Sequence, residues 1–270
     1  MAIDTDTRTL PPGTTALRTP QPRPVSRLRG GISRKLASTV VTKSVRARNE
    51  RPLVSFTFDD IPESAFVHGA RVLEDNGARG TFYIAGGLCG TTDASRRLIS
   101  ASDCVQLHRR GHEIGCHTFS HPVVQWLDAD AFTAELDRNR DFFARLVPEL
   151  VLENFCYPYG IASLPRKWQA QARFDSCRSA KPGVNAGTVD LGMIRGTPID
   201  YTSDAATILG AIDETVRRNG WLVLFTHDVS PDPTWIGCTP QLLDAAIKAA
   251  LGRGCEIVTV RDALRRIGAS

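Results

Sequence analysis

No stretch of this 270-residue chain approaches the roughly 20 apolar residues that a membrane-spanning helix needs. The longest apolar run, WLVLF at 221–225, has the length of a buried strand. The first 30 residues lack the apolar centre of a secretory leader and hold Arg and Pro in its place. No CxxC pair occurs. The seven cysteines, Cys89, Cys104, Cys116, Cys156, Cys177, Cys238 and Cys255, are scattered singly. An odd number so placed fits reduced thiols rather than a disulfide framework, and with the missing leader it sets the expectation of a cytoplasmic protein. Neither GxGxxG nor a P-loop follows the first predicted strand, which argues against a nucleotide-binding sheet. No internal repeat is present.

Charge of one sign is scarce where it would matter for a polyanionic partner. The net charge is +4, but residues 1–49 carry ten Lys or Arg against two Asp, so residues 50–270 carry a net −4. The basic character belongs to the N-terminal segment, and no nucleic-acid partner is expected. A Pro-, Thr- and Arg-rich stretch at 9–24 reads as unstructured. The segment is also acid-poor, as organelle transit peptides are, but a solvated basic tail over 1–49 is the plainer reading. Ordered structure is expected to begin near Pro52, with a single catalytic domain over 50–270. The apolar fraction of 42% is that of an ordinary soluble domain with a sizeable core.

What the sequence does contain is an alternation. Short β-rich runs at 53–58, 80–84, 113–116, 154–157, 174–179, 222–226 and 256–260 are separated by helical patterns at 64–76, 94–109, 129–146, 164–172, 205–219 and 240–253, with another at 260–267. Most of the runs are continuously apolar, as strands covered on both faces are. Phe132, Leu136 and Phe143 share one helical face, as do Leu243 and Ile247. Gly77, Gly111, Gly220 and Gly254 stand where left-handed caps would end helices. The pattern predicts a parallel α/β architecture, either a barrel or an open sheet, with functional groups at the carboxyl ends of the strands.

Three of those strands end in ionisable residues. Asp59 and Asp60 follow the first, His117 and His121 the third, and His227 and Asp228 the sixth. In a parallel sheet they converge on one rim. Two imidazoles spaced i, i+4, as on one helical turn, and a carboxylate make a common divalent-metal site with positions left open for water and substrate. Asp60 is the natural third ligand. Two adjacent buried carboxylates repel each other unless a cation is present, which would free Asp59 to act as a base.

SFTFDD (55–60) resembles the first motif of the polysaccharide deacetylase family, also called the NodB homology domain. GHEIGCHTFSH (111–121) resembles its second, FCYPYG (155–160) its third and LVLFTHD (222–228) its fifth. The resemblance covers about residues 52–262. It implies a distorted (β/α) barrel of about seven parallel strands and removal of N-acetyl groups from an amino-sugar oligomer or polymer. It also implies roles: Asp60, His117 and His121 hold a divalent metal, Asp59 is the general base, His227 is the general acid, and Tyr159 offers its backbone N–H to the oxyanion. Zinc is the first expectation for the ion, with cobalt, nickel or manganese compatible with the same ligands. An acetylated carbohydrate is the expected partner.

The sequence departs from the family in two places. Where third-motif sequences carry an arginine directed at the base, this chain has Cys156. Arg178 is the first candidate to replace that cation and Arg195 the second. The fourth motif is indistinct; IDYTSD (199–204) is nearest, and Asp200, Asp204 or Asp228 is a candidate to orient His227. Tyr159, Arg178 and Trp235 are the candidate substrate-side residues, Trp235 because a loop tryptophan can stack on a sugar. His68, His108 and His112 read as surface or structural. Two other readings share these residues: the same metal site acting on a small amide or cyclic ureide, and a silent carbohydrate-binding relic, which would need neither a base nor an acid.

Overall fold

The computed structural model describes residues 24–93 and 96–269. Its first half runs through α1 (Pro24–Thr39), β1 (Ser44–Arg46), β2 (Leu53–Asp59), α2 (Ala70–Asp75), β3 (Thr81–Ile84), β4 (Thr92–Asp93), β5 (Arg96–Arg97), α3 (Ala101–Arg109), β6 (Glu113–Cys116) and α4 (Ala129–Leu146). The second half adds β7 (Asn154–Cys156), α5 (Leu164–Gln171), β8 (Ser176–Arg178), β9 (Thr188–Asp190), β10 (Thr197–Pro198), α6 (Ala205–Arg218), β11 (Trp221–Thr226), α7 (Pro240–Gly252), β12 (Glu256–Ile257) and α8 (Val260–Ile267).

The main sheet has the order β10-β11-β2-β3-β6-β7-β8, and every pair in it is parallel. β12 pairs with the first two residues of β2, beside the point where β3 takes over from Thr57 onward. An isolated parallel bridge between Arg178 and Ile194 brings the segment before β10 back against β8. The ring is therefore irregular, a distorted barrel of seven strands, as the motif resemblance implied. β10 was not legible as a strand because two residues, one a proline, carry no apolar period.

Alternation along β2 explains how the barrel is filled. Val54, Phe56 and Phe58 point outward into the main core with Leu73, Ile208, Ile212, Leu243 and Ile247 from the surrounding helices. Ser55, Thr57 and Asp59 are equally buried on the other face. There Trp221 Nε1 donates to Ser55 Oγ at 2.9 Å, and Thr57 Oγ1 donates to the Leu224 carbonyl at 3.1 Å. Ser55 and Thr57 inside the ring are thus paired, as burial demands. Asp128, Asp204, Thr239 and Thr259 cap α4, α6, α7 and α8, and Ser100 with Asp103 forms a capping box on α3. At the end of α6 the left-handed residue is Asn219 (φ 43°) rather than Gly220.

Structure begins well upstream of Pro52. α1 packs against α5, and β1 pairs antiparallel with β9 through Ser44–Asp190, Val45–Val189 and Arg46–Thr188. Lys167, fully buried on α5, donates to the carbonyls of Ala37 (2.8 Å) and Val40 (2.6 Å) and pairs with Asp190 Oδ2 (2.5 Å). This clasp satisfies the carbonyls that end α1, a requirement of any buried helix terminus. Against the expected start of order near Pro52, α1 and β1 are formed, and the segment is bonded to the domain from Ser33 onward. The stretch 9–23 lies outside the described residues.

Candidate metal centre

Asp59, Asp60, His117, Tyr159, Arg178 and His227 all stand at or just beyond the carboxyl ends of barrel strands. The backbone there is unusual. Asp60, Ile61, Thr118, His121 and Tyr159 have φ of 56°, 43°, 62°, 57° and 60°, five of the six non-glycine residues with positive φ among those described. Each costs on the order of 1–3 kcal/mol and persists only where the surroundings enforce it. The i, i+4 spacing of His117 and His121 does not reflect a helical turn, contrary to the sequence reading. Thr118 turns the chain instead, and its Oγ1 accepts from the His121 N–H at 3.1 Å. Glu135 on α4 fixes this loop by accepting from the N–H groups of Phe119 (3.0 Å) and Ser120 (2.7 Å) and from Ser120 Oγ (2.9 Å).

The result is a tight cluster. His121 Nε2 lies 3.0 Å and His117 Nε2 3.5 Å from Asp60 Oδ1. One donor atom from each of the three residues lies within 4.8 Å of the others. His117 Nδ1 donates to the Cys156 carbonyl at 2.8 Å, which assigns its proton and leaves the Nε2 lone pair facing Asp60. Asp60 Oδ1 is buried and has no hydrogen-bond partner. Burial pushes the Asp60 carboxyl up, but His121 and His117 reverse this and hold it well below its ordinary value. The ionised carboxylate, with imidazole lone pairs turned toward it, favours a cation among them. Two nitrogen donors and an orphaned carboxylate oxygen fit a divalent metal in residue type and number.

A second grouping, Asp59, His117 and Cys156, is as close together. The Arg178 guanidinium already occupies it. Arg178 donates to Asp59 Oδ2 and lies 2.8 Å from Cys156 Sγ, so a metal there would meet a fixed positive charge. Arg178 is 1% exposed, and its guanidinium lies 4.4 Å from the Phe225 ring centre. Buried beneath the Asp59 carboxylate, it faces that side chain rather than open solvent, at the place where a replacement for the third-motif arginine was expected. Arg195 instead bonds the Pro182 carbonyl at 2.9 Å. Burial pushes the Asp59 carboxyl up, and Arg178, then His117 and His227, more than reverse it, so it lies below its ordinary value. With Oδ2 engaged by Arg178, Asp59 Oδ1 is buried and unpartnered.

His227 Nδ1 donates to the Ile236 carbonyl at 3.2 Å, which turns Nε2 toward Asp60 Oδ2 at 3.9 Å. No acid from the three candidates orients it. Asp200 bonds Thr202, Asp204 caps α6, and Asp228 accepts from Thr234 N (2.7 Å) and Thr234 Oγ1 (2.5 Å). Asp228 thereby pins the loop that presents Ile236 and Trp235. Trp235 is 66% exposed on that loop. Tyr159 is 56% exposed, and its ring centre lies 4.7 Å from that of His121. Of the other histidines, His112 is buried and paired with Glu74 at 2.9 Å. Glu135 carries no motif signal; only the fold reveals its role.

Residues 46–174 match the family model described as polysaccharide deacetylase. A chitin deacetylase from Pestalotiopsis sp is 28% identical over 105 residues, which is 39% of this chain and only 34% of that protein's length. Among solved structures, the Xyl-CE4 domain of a multidomain xylanase from the hindgut metagenome of Trinervitermes trinervoides superposes with a TM-score of 0.57 at 18% identity, covering 81% of this chain and 92% of that one. A family 4 acetyl xylan esterase from Clostridium thermocellum, solved with a cobalt ion, gives 0.56 at 22% identity over 79% and 90% of the two chains. Peptidoglycan deacetylase PdaC from Bacillus subtilis gives 0.53 at 15% identity over 80% and 92%. These likenesses show the fold. Residues 46–174, just under half of the chain, thus match the polysaccharide deacetylase family model, and the fold is the one shared by these carbohydrate esterases and deacetylases.

Proposed function

We propose that this protein hydrolyses the N-acetyl group of an amino-sugar oligo- or polysaccharide, of chitooligosaccharide or exopolysaccharide type, with Asp59 as general base and His227 as general acid. The observation that carries the reading is the free Asp59 Oδ1 and the inward-turned His227 Nε2 beside the Asp60–His117–His121 cluster. Asp60, His117 and His121 would hold the divalent cation, zinc first among the candidates. When bound, such an ion supplies Lewis-acid polarisation of the acyl carbonyl and acidifies water.

The chain's own groups do the rest. Arg178 holds one oxygen of Asp59, so that the other is aimed at the proton of the attacking water. His227, acting as the imidazolium held by the Ile236 carbonyl through Nδ1–H, delivers its Nε2 proton to the departing amine nitrogen and is left neutral. The Tyr159 N–H, turned by its left-handed backbone, is the proposed donor to the oxyanion. Acetate and a free amine leave. The exposed rings of Tyr159 and Trp235 favour a glycan over a small enclosed amide, because they offer flat apolar surface at an open rim. The catalytic unit is placed at 50–270, with 24–46 packed on it.

No helix among the described residues is long and apolar enough to cross a membrane. A cytoplasmic address is proposed on the seven free cysteines. The test is acetate release from a panel of N-acetylated chitooligosaccharides, other acetylated glycans and small acylamides, with and without chelator. Release from glycans that chelation abolishes and added metal restores supports the reading. Release insensitive to chelation, or confined to small acylamides, rejects it.

A further inference from the structure

We propose that Cys89 and Cys104 are a modification site, a reversible disulfide that braces the segment carrying β4 and β5 against α3. Their sulfurs lie 3.8 Å apart, in contact but unbonded, against the roughly 2.05 Å of a disulfide. Cys89 sits in the turn after β3 and is the one cysteine of the seven that is partly exposed, whereas Cys104, in the first turns of α3, is buried. A soluble oxidant reaches the first and not the second.

The two thiols are also unequal chemically. The hydrogen bond between the two thiols favours one thiolate, lowering Cys89 and raising Cys104, and burial, which opposes any thiolate, is deeper at Cys104 than at the partly exposed Cys89. Cys89 is therefore the attacking thiolate and Cys104 the resolving group. With a small disulfide such as oxidised glutathione, the Cys89 thiolate displaces one glutathione thiolate to give a mixed disulfide. Cys104 then loses its proton and displaces the second. Two protein thiols are oxidised, one glutathione disulfide is reduced, and two glutathione thiols leave.

The position gives the bond a consequence. Gly87 N donates to the Phe119 carbonyl at 2.9 Å, and Phe119 lies between His117 and His121. Ile99 N donates to the carbonyl of Ile61, the residue after Asp60, at 3.1 Å, while Gly90 N closes the segment onto the Ile99 carbonyl at 2.8 Å. Gly87, two residues before Cys89, and Ile99, ten after it, thus hold the two ligand-bearing loops from behind, and a disulfide at Cys89 anchors the turn between them to α3.

The test does not require catalytic activity. The full-length protein, equilibrated with oxidised or with reduced glutathione, is alkylated and mapped by mass spectrometry, and amide hydrogen exchange is followed in both states. The expected result is a joined Cys89–Cys104 peptide pair in the oxidised sample, separated by dithiothreitol, with exchange at Gly87, Gly90 and Ile99 slowed several-fold. Cys104→Ala should trap Cys89 as the glutathione mixed disulfide. Cys89→Ser, at the half-exposed position, should abolish both the linkage and the slowing. Recovery of wild-type Cys89 as alkylated thiol or persistent mixed disulfide, with Cys104 free, overturns the assignment. A joined pair with unchanged exchange overturns the brace.

Discussion

Replacing Arg178 with methionine should cost more stability than almost any other single change in the chain. The guanidinium and the Asp59 carboxylate are 1% and 5% exposed, so bulk solvent screens neither to any extent. Removing one partner of such a pair leaves an uncompensated buried charge, which costs about 3–5 kcal/mol. Arg178 also bonds the Ser179 carbonyl at 3.2 Å and lies 5.4 Å from the Tyr83 ring centre, but methionine retains an apolar stem to fill that space. A loss of this size is a large part of the roughly 5–15 kcal/mol that stabilises a typical domain. Urea unfolding in chelator, which removes any contribution from bound metal, reads it directly. Arg195→Met, near the surface, should cost under about 0.5 kcal/mol. The pH dependence carries its own sign. In the native protein burial raises the Asp59 carboxyl, and Arg178, His117 and His227 more than offset this, so its folded value is depressed. Its contribution is present above the unfolded carboxyl's pKa and is lost only as pH falls through the lower folded value. Without Arg178 the opposition to burial is weakened and the folded value moves up. The stability deficit should therefore be greatest at high pH and narrow as pH falls, because the variant takes up the proton before the native protein does. A deficit no larger than that of Arg195→Met, or one flat with pH, would refute the buried-pair argument.

Asp59→Asn and His227→Ala should keep metal content while turnover falls by about 10²–10⁴, checked by elemental analysis beside acetate release. Retained activity in either variant removes the assigned role. Glu135→Gln loosens the three bonds that hold the loop between the two histidines. Metal affinity should drop about 10–100-fold in a competition titration, the usual cost of losing an outer-shell partner. Lys167→Met strands the Ala37 and Val40 carbonyls and the Asp190 carboxylate together, and should cost about 3–5 kcal/mol. Limited proteolysis should then cut first within residues 24–46, and unchanged resistance there would show that the clasp does not hold the segment.

The ionisable residues of the rim were readable because each follows an apolar run, and parallel strands put everything that follows them on one side. Their local geometry was not. A spacing of four between His117 and His121 reads as a helical turn, yet Thr118 and His121 both adopt left-handed backbone, a conformation with no sequence signature in residues other than glycine or asparagine. Arg178 was readable as a missing charge that something had to supply, but its burial was not. The folding of residues 24–46 was invisible because its anchors, Lys167 and Asp190, lie more than a hundred residues downstream. A basic, proline-containing segment has no periodic pattern that announces such partners. Glu135 and the Ile236 carbonyl were beyond reach for the same reason: one is an ordinary helix residue and the other a backbone atom, and only the fold places them against the histidines.

The central claim is that Asp60, His117 and His121 hold one divalent cation. Isothermal titration of the chelator-stripped protein with zinc or cobalt measures it most directly. The account predicts one ion per chain, binding lost in Asp60→Ala and in His121→Ala, and binding retained in Asp59→Asn. No saturable uptake by the native chain, or uptake that survives Asp60→Ala but not Asp59→Asn, would contradict it.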